Sequence, residues 1–357
     1  MSKTDNYFNE KIDNNIKEIL RIRKIQENDK SNTNENLSEN LVDINCNKME
    51  STLQRMYFGA PGTGKSYEVT QVIKQAYPNI EEKDNPFVFK TTVFSDYSYY
   101  DFIGNIMPIK KDDEIKYEFQ LGIFTQALNM AFMHSDKDIF LVVEEMSRGD
   151  IASIFGDIFQ LLDRDADGIS EYSINNDSIS YWLEKNGIKL KKIYLPSNLH
   201  ILGTVNTSDQ NVNVIDTAFK RRFDFIYVSV DPSYKKDSNE LLNEFVFDLK
   251  DRNELVKFEW NKLYMALNKF IVRELDLSED KQLGQFFIKF ENYKTDDDKF
   301  NAIKNKVLHY LWDDVQSASM NNSVRIFLND ITTFSELYKE FSDKKLVFSE
   351  EFLKYYK

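Results

Sequence analysis

Residues 58–66 read FGAPGTGKS, beginning on the last residue of the run QRMYF and lying directly before a helix-forming segment. Gly59, Gly64, Lys65 and Ser66 satisfy the pattern G-x-x-x-x-G-K-[ST], which binds phosphate only where a strand turns into a helix. Glycines let backbone N–H groups wrap the β- and γ-phosphates, and the helix N-terminus adds positive potential. The lysine neutralises charge, and the serine hydroxyl ligates Mg²⁺. The stretch Gly59, Pro61, Gly62, Thr63, Gly64, Lys65, Ser66 and Tyr67 is therefore the nucleotide-binding candidate, and it demands an α/β fold around it.

The rest of the chain supplies such a fold. QRMYFG, NPFVFKTTVF, DIFLVVEE, NLHILGTVN and FDFIYVSV are short apolar or β-branched runs separated by segments long enough for helices. That alternation predicts a five-stranded parallel sheet flanked by helices over residues 51–234. Beyond 235, NELLNEFVFDLKD, LYMALNKFIVREL and KFNAIKNKVLHYLWDDV carry helical periodicity, so 235–357 is expected to form a second, helical domain. Residues 1–50 read as one amphipathic helix, with Phe8, Ile12, Ile16, Ile19 and Leu20 on its stripe, followed by a polar linker. Such a helix either docks on its own domain or pairs with a partner helix.

A phosphate loop needs a carboxylate at the C-terminal edge of a neighbouring strand to hold the metal's water shell. In IFLVVEEMSRGD, residues 139–150, an apolar run ends on Glu144 and Glu145. Two glutamates there can mean only that a strand surfaces. Beside a phosphate loop, Glu144 becomes the metal-facing carboxylate and Glu145 the general base for the attacking water. Asn206 ends NLHILGTVN, where it can orient that water. Lys220, Arg221 and Arg222 follow a short helix and precede the last strand. They form either a solvated patch or an arginine finger reaching a neighbouring subunit's γ-phosphate.

Composition narrows the partners. The formal charge is −13, from 59 acidic against 46 basic residues, which disfavours attraction of the whole chain to nucleic acid or an anionic membrane. Cys46 is the single cysteine and there are three histidines, so neither a disulfide framework nor a Cys/His metal cage is expected. No apolar stretch approaches the ~20 residues that span a bilayer, and a cytoplasmic location is expected.

Taken in order, GAPGTGKS, SYYDFIG, LVVEEMSRGDIASIFGDIFQLLD, LPSNLHILGTVNTSD and IDTAFKRRF resemble the AAA+ NTPase domain of the McrB family, over about residues 53–230. KQLGQFFIKF and VLHYLWDDV resemble that family's helical lid more weakly. The resemblance implies a ring, usually a hexamer, that hydrolyses GTP or ATP with Mg²⁺, preferring GTP in the family. It also implies a McrC-like nuclease partner, with DNA met indirectly or through the ring. By position it implies that Ser66 and Glu144 serve the metal and Glu145 and Asn206 the attacking water. Asp209 then belongs to the Asn-Thr-Ala-Asp signature, and Arg221 and Arg222 correspond to the arginine pair.

The departures are specific. Glu144 stands where the family has aspartate, Met146 and Ser147 where it has isoleucine and asparagine, and Gln210 where a basic residue is common. GQFF replaces a His-Ser-Tyr-Phe sequence, and residues 1–50 offer no DNA-reading domain. IMPIKKDDEIKYEFQLG is expected to form a hairpin, either solvated or facing a pore or partner. Two other functions fit a chain of this type: a MoxR-like or dynein-related remodelling ATPase, or a nucleotide-gated scaffold with little hydrolysis.

Overall fold

The structure, a computed structural model, describes residues 44–111, 114–206, 213, 215–235, 238–252, 254–319 and 324–357. Met1–Asn47 and Lys48–Lys357 are separate units. The expected amphipathic helix that carries Phe8, Ile12, Ile16, Ile19 and Leu20 lies outside the described residues, whereas all three sheets lie in Lys48–Lys357. Among the described residues no helix is long and apolar enough to cross a membrane.

The five expected runs form one sheet. It comprises β1 (Gln54–Gly59), β2 (Val88–Thr92), β5 (Ile139–Glu144), β6 (Leu199–Asn206) and β7 (Asp224–Tyr227), in the order β2-β5-β6-β1-β7. All neighbours run parallel. In β5 every residue before Glu144 is buried, and in β6 every residue before Asn206. A parallel strand covered by helices on both faces has no solvent side, so its sequence is a continuous apolar run without alternation. Glu144 in β5 and Asn206 in β6 are the first residues of those strands to leave the core, the polar His200 and Thr204 of β6 being buried within it. Register aligns those exits, because Gly59 pairs with Asn206 and Thr92 with Glu144. The loop after β1, the acidic pair and the asparagine thus share one edge of the sheet.

Between β2 and β5 an antiparallel hairpin forms from β3 (Gly104–Lys111) and β4 (Glu114–Leu121), as expected, in register from Gly104↔Leu121 to Lys111↔Glu114. Ile106, Ile115 and Tyr117 are exposed on it.

The C-terminal region differs from expectation at one place. NELLNEFVFDLKD forms no helix; it leads into β8 (Val246–Asp251), which pairs antiparallel with β9 (Glu254–Glu259). Phe245, Phe247 and Leu249 are buried in alternation. That is the period of a strand, and it outweighs the weaker helical spacing of Leu241, Leu242 and Phe245. Across the hairpin Phe247 stacks on Phe258. The remaining segments are helical. Trp260–Arg273 buries Trp260, Leu263, Tyr264, Leu267, Phe270 and Ile271 on one face, and residues 296–315 wind helically against the same core.

Candidate functional site

The loop after β1 has the backbone a phosphate cradle requires. Gly62 and Gly64 have φ of 79° and 98°, values that favour glycine. Lys65 opens the helix Lys65–Ala76 and is buried, its Nζ donating to the carbonyls of Gly59 (3.0 Å) and Ala60 (2.9 Å). Ser66 and Tyr67 are exposed at the first turn.

A segment from the helical region lies directly on this loop. The N–H of Gly284 donates to the Pro61 carbonyl and that of Phe286 to the Gly62 carbonyl, each at 2.8 Å. In a trans peptide C=O and N–H point in opposite directions. The N–H groups of Gly62 and Thr63 therefore face away from the lid segment and are available to phosphate oxygens. Contact this close needs glycine on both sides. A Cβ on Gly284 would stand 2.2 Å from Gly62 C and Thr63 N, and one on Gly62 would stand 2.4 Å from Phe287 N. Gly284→Ala is therefore expected to weaken nucleotide binding by about tenfold or more, measured by titration of a fluorescent nucleotide. Unchanged affinity would mean that the lid lifts from the loop without cost.

On the neighbouring strand exits, Glu144 pairs with Lys90 of β2, Nζ to Oε1 at 3.2 Å, and Lys90 also binds Glu82 at 2.9 Å. Burial works to lower the Lys90 pKa, but Glu82 and Glu144 outweigh it and hold the pKa above the ordinary lysine value. Glu145 adopts a left-handed backbone, φ 56°, a conformation costly for a residue with a side chain. Its carboxylate is gripped on both oxygens by Asn206 Nδ2, each at 2.8 Å, and on one by Arg148 Nε at 3.2 Å. The strained turn aims Glu145 across β5 toward β6 and away from Glu144's lysine. Consecutive glutamates thus meet different partners: one a cation, the other an amide beside the phosphate loop.

Comparison with known proteins bears on what this edge belongs to. The chain is 36% identical over 321 residues, 83% of its length, to the BsuMI type II restriction enzyme component YdiS of Bacillus subtilis (strain 168), covering 87% of that protein. The chain belongs to the McrB-type AAA+ NTPases of restriction systems. It is also 28% identical over 186 residues to the McrB subunit of the type IV methyl-directed restriction enzyme of Escherichia coli (strain K12), spanning 52% of this chain but 37% of that subunit. Among solved structures, NtrX of Brucella abortus aligns over 55% of this chain and 36% of its own, at 13% identity and a TM-score of 0.27, too partial a likeness to bear on the fold. No protein-family model matches.

Within this McrB-type chain the arginine pair divides. Arg221 is 65% exposed at its side chain, 3.8 Å from Asp163. Arg222 is 7% exposed; it binds Asp163 at 2.6 Å, donates to the Ala218 carbonyl at 2.8 Å and lies over the Phe159 ring. Both line a cavity of about 570 Å³ with Asp163, Arg164, Asp165 and Asp224, at the end of β1 opposite the phosphate loop. Neither arginine is thus placed among the P-loop residues of this chain, and of the two only Arg221 is exposed. Asp209 and Gln210 lie outside the described residues.

Sequence reasoning missed three groups. Lys90 read only as one polar position in a strand run. Gly284 was noted only as part of the departing GQFF segment, because the backbone it packs against, at Gly62, is 222 positions away in sequence. Gln285, in the departing GQFF segment, is buried. Its amide donates to Leu242 O (2.6 Å) and Asn261 Oδ1 (2.8 Å), and its oxygen accepts from Ser233 N (2.8 Å). It knits the lid to the segment entering it, so its own side chain is committed to the lid interior.

Proposed function

We propose that this chain is the Mg²⁺-dependent NTPase of a restriction system, working as a ring with its sites between subunits and driving or gating a nuclease partner. The observation that carries this reading is the Asn206–Glu145 clamp, set in register beside the phosphate loop. A general base must stay deprotonated, close to the γ-phosphate and outside the metal shell. Asn206 can present the carboxylate in that position and hold the attacking water with its remaining hydrogen-bonding capacity. Gly62, Thr63, Gly64 and Lys65 bind the phosphates through N–H groups and one ammonium. Ser66 and Glu144 would hold Mg²⁺, which would supply neutralisation of the phosphate charge. The donor set fits a hard cation that keeps most of its water: one hydroxyl, one carboxylate and the substrate's own phosphates. Asp209 is assigned to the same site by position alone. Arg221, exposed on the far side, would complete the site of a neighbouring subunit, and its partner carboxylate Asp163 would keep it extended until then.

The nucleotide is GTP or ATP. DNA would be met through the ring or the partner, since the net charge of −13 gives the chain itself no general attraction to it. Phosphate release from GTP and from ATP, with Mg²⁺ and with and without a McrC-like nuclease subunit, tests the reading. Hydrolysis that this subunit stimulates supports it. Tight binding with no turnover under any condition would replace the motor with a nucleotide-gated scaffold, a reading favoured by the lysine already engaged on Glu144.

A further inference from the structure

The two ends of the proposed metal site are joined by a chain of side chains. The Thr70 hydroxyl, one turn beyond Ser66, is shared between the Ser66 carbonyl (3.0 Å) and one oxygen of Glu82. The other Glu82 oxygen takes Lys90 Nζ at 2.9 Å, and the same ammonium reaches Glu144 Oε1 at 3.2 Å. Lys90 therefore stands between two carboxylates with the Glu144 side chain only 19% exposed and its own 37% exposed, where solvent screens the pair incompletely.

We propose that Lys90 is a positioning residue acting as the resident counter-ion of Glu144. It holds that carboxylate before a divalent cation arrives, and retreats to Glu82 when the cation takes Glu144. Its charge thereby sets how much Mg²⁺ the site requires. The inference rests on Glu144 being the metal-facing carboxylate. Three features support it. Glutamate has one more torsion than the family's aspartate, and an ion pair restricts it. Glu82 gives the displaced ammonium a partner already in place, so no half-buried cation is stranded. A metal ion and an ammonium compete for one carboxylate by charge alone, so removing the ammonium favours the metal.

The test is a Mg²⁺ titration of the full chain with a fluorescent, non-hydrolysable GTP or ATP analogue, read as nucleotide fluorescence instead of turnover. Lys90→Met keeps the length and loses the charge, and it should lower the half-saturating Mg²⁺ concentration by about three- to tenfold. Lys90→Gln serves equally if the methionine variant fails to fold. Lys90→Arg, which keeps the charge, should remain within about twofold of wild type. On a Glu144→Gln background the Lys90→Met shift should vanish. An unchanged or higher Mg²⁺ requirement in Lys90→Met would overturn the inference. If Glu144→Gln alone leaves the Mg²⁺ midpoint where it was, the metal role of Glu144 is what fails, and the role of Lys90 falls with it.

Discussion

Glu145→Gln is expected to lower nucleotide hydrolysis by about 100- to 10,000-fold, the range for removing a general base, while leaving nucleotide affinity close to wild type. The substitution keeps the shape and one oxygen. The Asn206 amide at 2.8 Å can still donate to that oxygen, and the strained backbone at φ 56° need not move. The capacity to take a proton is lost, along with one of the two acceptors of the Asn206 amide and the charge facing the exposed Arg148. A matching loss of affinity would mean instead that Glu145 supports the loop structurally. Single-turnover phosphate release and a fluorescent-nucleotide titration on the same variant separate the two outcomes.

The second large effect divides two adjacent arginines. Arg222→Ala removes the 2.6 Å pair with Asp163, the bond to the Ala218 carbonyl and the packing on Phe159 from a nearly buried position. Removing one partner of such a pair costs about 3–5 kcal/mol, which should appear as a fall of roughly 5 °C in Tm. Arg221→Ala touches a side chain 65% exposed, so its Tm should stay within about a degree. As a finger supplied to a neighbour, its loss should still cost about a thousandfold in hydrolysis. Thermal melts and phosphate release on both variants decide this. Equal melting temperatures, or an Arg221 variant with full activity, would remove the assignment.

That contrast also shows where sequence legibility stops. KRRF presents two arginines with the same chemistry, and nothing in the letters distinguishes them. They follow the short helix Thr217–Lys220, where successive side chains diverge by about 100°, so one turns inward to Asp163 and the other outward. By contrast, the five parallel strands were readable as short, largely apolar or β-branched runs separated by segments long enough for helices, and β5 and β6 each end on a polar residue at the sheet's edge. Glu144 and Asn206 are therefore visible in the sequence as the ends of β5 and β6. Lys90 was not legible, since its two carboxylates arrive from another strand and from the short 3-10 helix Glu82–Asp84 through register and packing. The β8–β9 hairpin was missed for a related reason. Its period-two burial of Phe245, Phe247 and Leu249 sits beside leucines at helical spacing, and only pairing with Glu254–Glu259 decides between them.

The most direct test of a shared site mixes two variants that should each be inactive. Glu145→Gln subunits retain Arg221, and Arg221→Ala subunits retain Glu145. If sites form between subunits, an equal mixture should recover about a quarter of the wild-type rate, because one interface in four then joins an intact base to an intact finger. A mixture as inactive as either variant alone would contradict the intersubunit site.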